Sequence, residues 1–130
     1  MKRMGALLLV ALLALVLVGC GGDAGKKTDF SAKSEKDQYG NWAEIKIETE
    51  EDGTIKKVDW KEYNGETVKN EDYGKDLSAE QYQKAQEALA GSKTYPTQLV
   101  EKQDIEKVEV VSGATQSLES FKALYKKAMK

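Results

Sequence analysis

The tetrapeptide Ser-Gly-Ala-Thr at residues 112–115 places two hydroxyl groups between a strand-like run at residues 107–111 and an amphipathic helix predicted to begin near Ser117. The first turn of a helix has unpaired N–H groups and the positive end of the helix dipole, so it favours an anion such as a phosphate. Gly113 and Ala114 are small enough to let the backbone approach such a group closely. The simpler interpretation is a plain turn in which a hydroxyl side chain caps the helix. The candidate caps are Ser112, Thr115 and Ser117.

The motif and its flanks resemble the FMN-binding domain of flavin-carrying electron-transfer proteins. The resemblance rests on the motif itself, on Val108, Val110 and Val111 before it, and on Gln116-Ser117 after it. In that family the threonine of the motif carries FMN through a phosphoester bond, and the matching position here is Thr115. The resemblance therefore implies FMN as the cofactor. Besides Thr115, it assigns to the site Ser112, Gly113, Ala114, Gln116, Ser117 and Glu109.

Glu109 is the position at which the chain departs from the family pattern. Flavinylated members usually have an aspartate three residues before the first hydroxyl residue, as D-x-x-[S/T]-G-A-T, and this chain has a glutamate. The carboxylate is kept, but it lies one methylene further from the backbone. A transferase that requires the shorter side chain would modify Thr115 slowly or not at all.

Aromatic side chains stack on flat ring systems, so they are candidates for contact with a flavin. Trp60 is predicted to be a core residue. Trp42, on the polar face of its strand, and Tyr95, in a predicted loop beside the only proline, are the better candidates for flavin neighbours. The full set of aromatic candidates is Trp42, Trp60, Tyr63, Tyr73 and Tyr95.

The N-terminus resembles a bacterial lipoprotein signal. Lys2 and Arg3 precede an unbroken small and apolar run at residues 5–18, and the sequence at residues 17–20, LVGC, has the form of a lipobox. The run is shorter than the roughly 20 residues that a spanning helix requires. We therefore expect residues 1–19 to be removed, Cys20 to be lipidated, and residues 20–29 to form a flexible tether. These features predict a protein anchored by lipid to the extracytoplasmic face of the cell membrane.

The composition excludes several kinds of redox and hydrolytic site. The chain has one cysteine and no histidine, so an internal disulfide, a C-x-x-C pair, an iron–sulfur ligand set and a Ser-His-Asp triad are all excluded. Asn70, Asp72 and Asp76 do not follow the order of a calcium loop and are predicted to be a solvated loop. The net charge of −2 gives no basic footprint for nucleic acid. Any electrons that the protein handles must be carried by an organic cofactor.

Residues 30–130 are predicted to form a single α+β domain, a small antiparallel sheet packed with helices. Alternating apolar residues predict strands at residues 30–34 and 43–47, and Asp52-Gly53 predicts a hairpin turn into a partner strand at residues 55–63. Residues 64–77 are predicted to be a loop, and residues 107–111 a further strand.

Three helices complete the predicted domain. Ser78 followed by Gln81 predicts the start of the first, which Gly91 is predicted to end. Pro96 fits the first turn of the second. The last has an apolar stripe that is expected to cover the sheet. Its members are Leu118, Phe121, Leu124, Tyr125 and Ala128.

The resemblance implies an electron carrier with no substrate chemistry of its own, rather than an enzyme. Its partners would be a membrane electron donor, the membrane itself through the lipid, and a flavin transferase that uses FAD to install FMN. Two alternatives stay open on the sequence. One is a lipoprotein of the same fold that binds FMN non-covalently or not at all, and the other is a non-redox surface interaction protein in which the turn at residues 112–115 is only structural.

Overall fold

In the part of the chain that the structure describes, four antiparallel strands form one layer and three helices form the other. The computed structural model describes residues 27–130, so the predicted signal, Cys20 and most of the tether lie outside the described residues. The strands follow one another in space in the order β1-β2-β3-β4. Their bounds are Asp29–Lys33, Asn41–Thr49, Ile55–Asn64 and Thr67–Val68. The helices are α1, α2 and α3, at Ala79–Ser92, Thr94–Lys102 and Thr115–Ala128, with a short 3-10 helix at Ile105–Lys107.

The central hairpin forms where the apolar alternation predicts it. Ile45 pairs with Trp60 and Ile47 pairs with Val58 across β2 and β3, and both isoleucines are buried. At the turn, the Asp52 carboxylate accepts a hydrogen bond from the Thr54 N–H at 2.9 Å, and the glycine that follows Asp52 has a φ of 94°. One face of the hairpin therefore meets the helices, and the opposite face carries mainly charged side chains.

The helices cover the inner face of the sheet. Helix α2 packs against β3, α3 packs against β1 and β2, and α1 packs on α2 and α3. Phe121 of α3 is fully buried and meets Trp60 edge-on, with ring centroids 5.2 Å apart. The predicted apolar stripe of α3 is confirmed, since four of its members are buried and the fifth, Tyr125, packs against the core. The α+β fold class is confirmed as well.

The predicted strand at residues 107–111 is wrong. The segment begins in the 3-10 helix and then continues without strand pairing up to the motif. Val108 is buried as its apolar pattern predicts, but the backbone of the segment lies along α2 rather than along a strand. The Gln98 side chain accepts from the Glu109 N–H at 2.7 Å and donates to the Glu109 carbonyl at 3.1 Å. A glutamine side chain therefore makes the pair of hydrogen bonds that a neighbouring strand would have made.

Strands β1 to β3 lie within two residues of their predicted bounds, and further differences from the prediction occur elsewhere. Helix α1 begins at the predicted N-cap, where the Ser78 hydroxyl accepts from the Gln81 N–H at 3.2 Å, but it continues through Gly91 to Ser92. Helix α3 begins at Thr115, two residues earlier than predicted. The predicted loop at residues 64–77 contains the two-residue strand β4, which is too short to leave a periodic signal. None of the helices in residues 27–130 is long and apolar enough to cross a bilayer.

Candidate functional site

A cavity of about 580 Å³ opens between the sheet and the N-terminus of α3. Its volume lies within the range of sites that hold small molecules and cofactors. Strands β2 and β3 form one wall, the first turn of α3 forms the opposite wall, and α1 closes one side. From the motif and the residues after it, the cavity is lined by Gly113, Ala114, Thr115, Gln116 and Ser117. With Trp42 of β2, the fold thus brings six of the predicted site residues to the lining of one cavity.

The first turn of α3 has no side-chain cap. Ala114 is the N-cap residue, and no side chain accepts a hydrogen bond from the first turn. The interpretation of Ser112, Thr115 or Ser117 as a capping residue is therefore wrong. Thr115 is the first residue of the helix and its side chain is exposed. An uncapped helix N-terminus in a cavity wall favours an anionic ligand, because its N–H groups and dipole both favour negative charge there.

Side chains on one face of α2 hold the backbone that leads to the motif. Tyr95 accepts from the Val111 N–H at 3.1 Å and donates to the Ala114 carbonyl at 2.8 Å. Gln98 makes the two hydrogen bonds to Glu109, and the Lys102 ammonium donates to the Lys107 carbonyl at 3.0 Å. These three side chains follow one another at helical spacing. Helix α2 therefore determines where the motif begins and how it enters α3.

Tyr95, one of the two better candidates for a flavin neighbour, does not line the cavity. It lies in α2 rather than in a loop, its side chain is completely buried, and its ring packs against Phe121 with centroids 5.9 Å apart. The placement predicted for Tyr95 is therefore wrong. Pro96 was predicted to lie in the first turn of this helix. The helix begins two residues before the proline, at Thr94, and therefore includes Tyr95.

Ala114 was predicted to be small so that the backbone could approach a phosphate, but the structure gives a different reason. The Ala114 side chain points into the protein, where only 1% of the residue is exposed. A Cβ atom built on Gly91 would lie 2.9 Å from the Ala114 Cβ and 3.0 Å from a Val111 methyl group. Gly91 and Ala114 are thus small because α1 crosses the motif at close range. Gly113, in contrast, has a φ of 87°, a backbone conformation that glycine adopts far more easily than other residues.

Glu109 and Ser112 lie outside the cavity. The Glu109 side chain is 82% exposed, and its carboxylate lies 3.7 Å from the Lys102 ammonium. Ser112 is exposed on the loop before α3 and is not among the residues that line the cavity. Both residues are therefore exposed to solvent and do not contribute to the cavity wall.

Trp42 is among the residues that line the cavity, and it is fixed in place. Its ring stacks on Tyr63, with centroids 4.0 Å apart and an interplanar angle of 6°, and its indole N–H donates to the Gly65 carbonyl at 2.7 Å. Trp60 has two roles, since it packs on Phe121 in the core and also lines the cavity. The Trp42 ring, paired with Tyr63 across β2 and β3, lies on the face of the sheet opposite to Ile45 and Trp60. The indole of Trp60 is thus the one that offers flat apolar surface to a ligand on the inner face of the sheet.

Sequence reasoning missed a charged pair on the cavity wall, Glu62 and Lys69. The Glu62 carboxylate accepts from the Trp60 indole N–H at 3.0 Å and from the Ser117 hydroxyl at 3.3 Å, and the Lys69 ammonium lies 3.9 Å from it. A signal for Glu62 was present in the sequence. It follows Val58 and Trp60 at alternate positions of β3, so it is a carboxylate at an inward-facing position of a strand.

Asp37 lies at the rim of the cavity in the turn before β2. Hydrogen bonds from the Asn41 N–H at 2.9 Å and the Tyr39 N–H at 2.8 Å lower the pKa of its carboxyl below the ordinary value of an aspartate. These bonds hold the charged form and keep the turn in place beside the cavity. Among residues 27–130, no group of three acidic or thiol side chains is arranged to hold a metal ion.

Comparison with known proteins identifies the family. The model of the FMN-binding domain matches residues 38–130. The chain belongs to the FMN-binding domain family. The crystal structure of the CPE2226 protein from Clostridium perfringens is similar, with 28% identity and a TM-score of 0.60, over 79% of this chain and 84% of that one. Among curated proteins, none matches this chain.

The cavity of this FMN-binding domain fits its cofactor. An uncapped helix N-terminus suits the phosphate, the indole of Trp60 suits the flat ring system, and the volume suits a mononucleotide. FMN is therefore the cofactor of this domain, and the protein is a flavin-binding protein.

Proposed function

We propose that this protein carries FMN covalently on Thr115 and serves as a lipid-anchored electron carrier on the extracytoplasmic face of the membrane. One observation supports the attachment site above all. The Thr115 side chain is exposed at the first position of an uncapped helix, in the wall of a cofactor-sized cavity. The lipidated Cys20, in the part of the chain that precedes the described residues, would supply the anchor.

The roles of the residues follow from their positions. The Thr115 oxygen would form a bond to the flavin-side phosphorus of FAD while AMP leaves and the hydroxyl proton passes to solvent. The backbone N–H groups of the first turn of α3 would then hold the remaining negative charge of the phosphodiester. Trp60 would orient the ring system and exclude water from one side. FMN supplies reversible electron uptake when bound, and the protein supplies no substrate chemistry.

Covalent attachment is tested by co-expression with a flavin transferase. We expect a peptide that contains Thr115 to gain the mass of one FMN less one water, and the colour to survive denaturation. Thr115→Ala abolishes both and leaves the fold intact, and Thr115→Ser keeps some modification because it keeps the hydroxyl. Thr97→Ala, at another exposed helical threonine, is the matched control and changes nothing. Unmodified Thr115 in protein from its own cell, with the transferase active, would refute the proposal.

The exposed position of Glu109 adds a second arm to the experiment. Its carboxylate is accessible to a transferase, and the family usually has an aspartate there. Glu109→Asp is expected to speed attachment, and Glu109→Ala to slow or prevent it, as measured by the rate of the mass gain. Glu101→Ala removes an exposed carboxylate from the end of α2 and serves as the control. Equal rates for all three variants would show that the transferase does not recognise position 109.

The glutamate at position 109 also favours one alternative, namely non-covalent binding of FMN in the same cavity. The two functions differ in a simple measurement. Non-covalent FMN leaves the protein on denaturation and gel filtration, whereas FMN on Thr115 stays with the chain.

A further inference from the structure

Glu62 and Lys69 form an ion pair, and both residues line the cavity. The pair is the least exposed of the ion pairs within residues 27–130. Only 13% of the Glu62 side chain and 11% of the Lys69 side chain are exposed. The Lys69 ammonium also lies 4.5 Å from the centre of the Tyr73 ring, which forms part of the same wall. Solvent and salt screen such charges much less than they screen exposed ones. The two charges therefore act electrostatically on a ligand bound in the cavity.

The geometry of Glu62 is fixed from three directions. Trp60 donates to one carboxylate oxygen, and the Ser117 hydroxyl and the Lys69 ammonium approach the other. Ser117 belongs to the first turn of α3, two residues after Thr115. The pair is thus tied to the turn that carries the proposed attachment site, and neither charge can move away from the cavity without losing its partners.

Lys69 is the one cationic side chain among the described residues that line the cavity. The other charged lining residues are the carboxylates of Glu35, Asp37 and Glu62. Lys33 approaches the Trp42 ring to 5.8 Å, but it is exposed and is not a lining residue. The electrostatic potential inside the cavity therefore depends on how Lys69 offsets three carboxylates, of which Glu62 is the one paired with it.

We infer that the Glu62–Lys69 pair sets the reduction potential of the flavin in this cavity, with Lys69 raising the potential and Glu62 lowering it. Two-electron reduction with uptake of one proton leaves one additional negative charge on the flavin. A nearby cation stabilises that charge and a nearby carboxylate opposes it. The electrons come from the membrane donor of the proposed function, or from an electrode in a titration. The inference rests on the proposed function only in requiring FMN in this cavity.

The test is a spectroelectrochemical titration of FMN-loaded protein with mediators. We expect Lys69→Met to lower the equilibrium constant for reduction at least tenfold, which is about 30 mV for a two-electron couple. Glu62→Gln is expected to raise it by a similar factor, and the double variant to return close to the unmutated value. Lys75→Met removes an exposed cation from an ion pair outside the cavity and serves as the control. It should leave the potential unchanged.

Stability separates this electrostatic role from a structural one. Each single variant leaves a poorly exposed charge without its partner, so both should lower the thermal midpoint. If the pair were only structural, the two single variants would shift both the thermal midpoint and the reduction potential in the same direction. The inference requires their reduction potentials to shift in opposite directions. Lys69→Arg, which keeps the charge, should restore most of the potential.

Loading of the unmutated protein is scored first, because its failure contradicts the proposed function. Where FMN is bound without a covalent link, the same titration is run on reconstituted protein. If Lys69→Met does not fold or load, Lys69→Gln takes its place. Potentials that do not move, or that move in the same direction for both single variants of loaded protein, overturn the inference.

Discussion

Two hydrogen bonds of the Tyr95 hydroxyl bracket the loop that carries the motif. The hydroxyl accepts from the Val111 N–H and donates to the Ala114 carbonyl, and the whole side chain is buried. Buried backbone groups that lose their partners are costly, so a single oxygen atom holds both ends of the loop. At the scale of single residues, Tyr95 contributes to the site through the position of Thr115 rather than by contact with a flavin.

Tyr95→Phe keeps the ring and removes the oxygen. We expect it to lower the free energy of unfolding by about 1–3 kcal/mol, because the N–H of Val111 is left unpaired and the carbonyl of Ala114 keeps only its bond from the Leu118 N–H. Urea denaturation measures this loss, and the rate of FMN attachment should fall as the loop loosens. Tyr82→Phe removes a hydroxyl that donates to the exposed Glu71 carbonyl at 2.6 Å and is the control. Full stability and a full attachment rate for Tyr95→Phe would contradict the assigned role.

At the scale of elements, α3 has two roles that depend on each other. Its apolar stripe covers the sheet, and its uncapped N-terminus forms a wall of the cavity. Phe121 connects the two, since its ring is fully buried and packs against both Trp60 and Tyr95. Any change that loosens α3 from the sheet should therefore also alter the cavity wall.

Phe121→Ala is expected to lower the free energy of unfolding by about 3–5 kcal/mol, through lost burial and the cavity that remains. That loss is a large share of the stability of a small domain. Thermal or urea denaturation measures it. Glu119→Ala, on the exposed side of the same helix, should have little effect. A thermal midpoint that Phe121→Ala leaves unchanged would show that α3 is not packed as the structure has it.

At the scale of the whole molecule, the proposed anchor determines where the flavin can work. The sheet begins at Asp29, so residues 20–28 would separate a lipidated Cys20 from the domain. Fully extended, such a tether spans at most about 30 Å. The flavin domain would then stay close to the membrane and to an electron donor within it. Cys20 lies outside the residues that the structure describes.

Cys20→Ala is expected to release or mislocalise the protein, because the chain then has no site for the diacylglyceryl group. Fractionation of cells and detergent partitioning measure the change, and mass spectrometry of the unmutated protein should find an acylated Cys20 as the first residue. Thr28→Ala, at the other end of the tether, should leave the protein at the membrane. A soluble native form that starts before an unmodified Cys20 would contradict the proposed anchor.

The sequence by itself predicted the features that depend on neighbouring residues. The alternation of Ile45 and Ile47, the turn at Asp52-Gly53 and the stripe around Phe121 are local periodicities, and each predicts which face of its element is buried. The tetrapeptide at residues 112–115 predicted the family for the same reason, because its spacing is short and contiguous.

Only the tertiary structure decided the contacts between residues that are distant in sequence. Gln98 takes the place of a neighbouring strand for Glu109, Gly91 packs against Ala114, and Ser117 meets Glu62 across the cavity. No periodic pattern encodes these pairs, because each depends on how one helix docks against a loop or a sheet. Residues 107–111 were predicted to be a strand because the sequence does not show which element lies beside them. Their backbone hydrogen bonds are made by side chains of α2, and a side-chain partner leaves no alternation in the sequence.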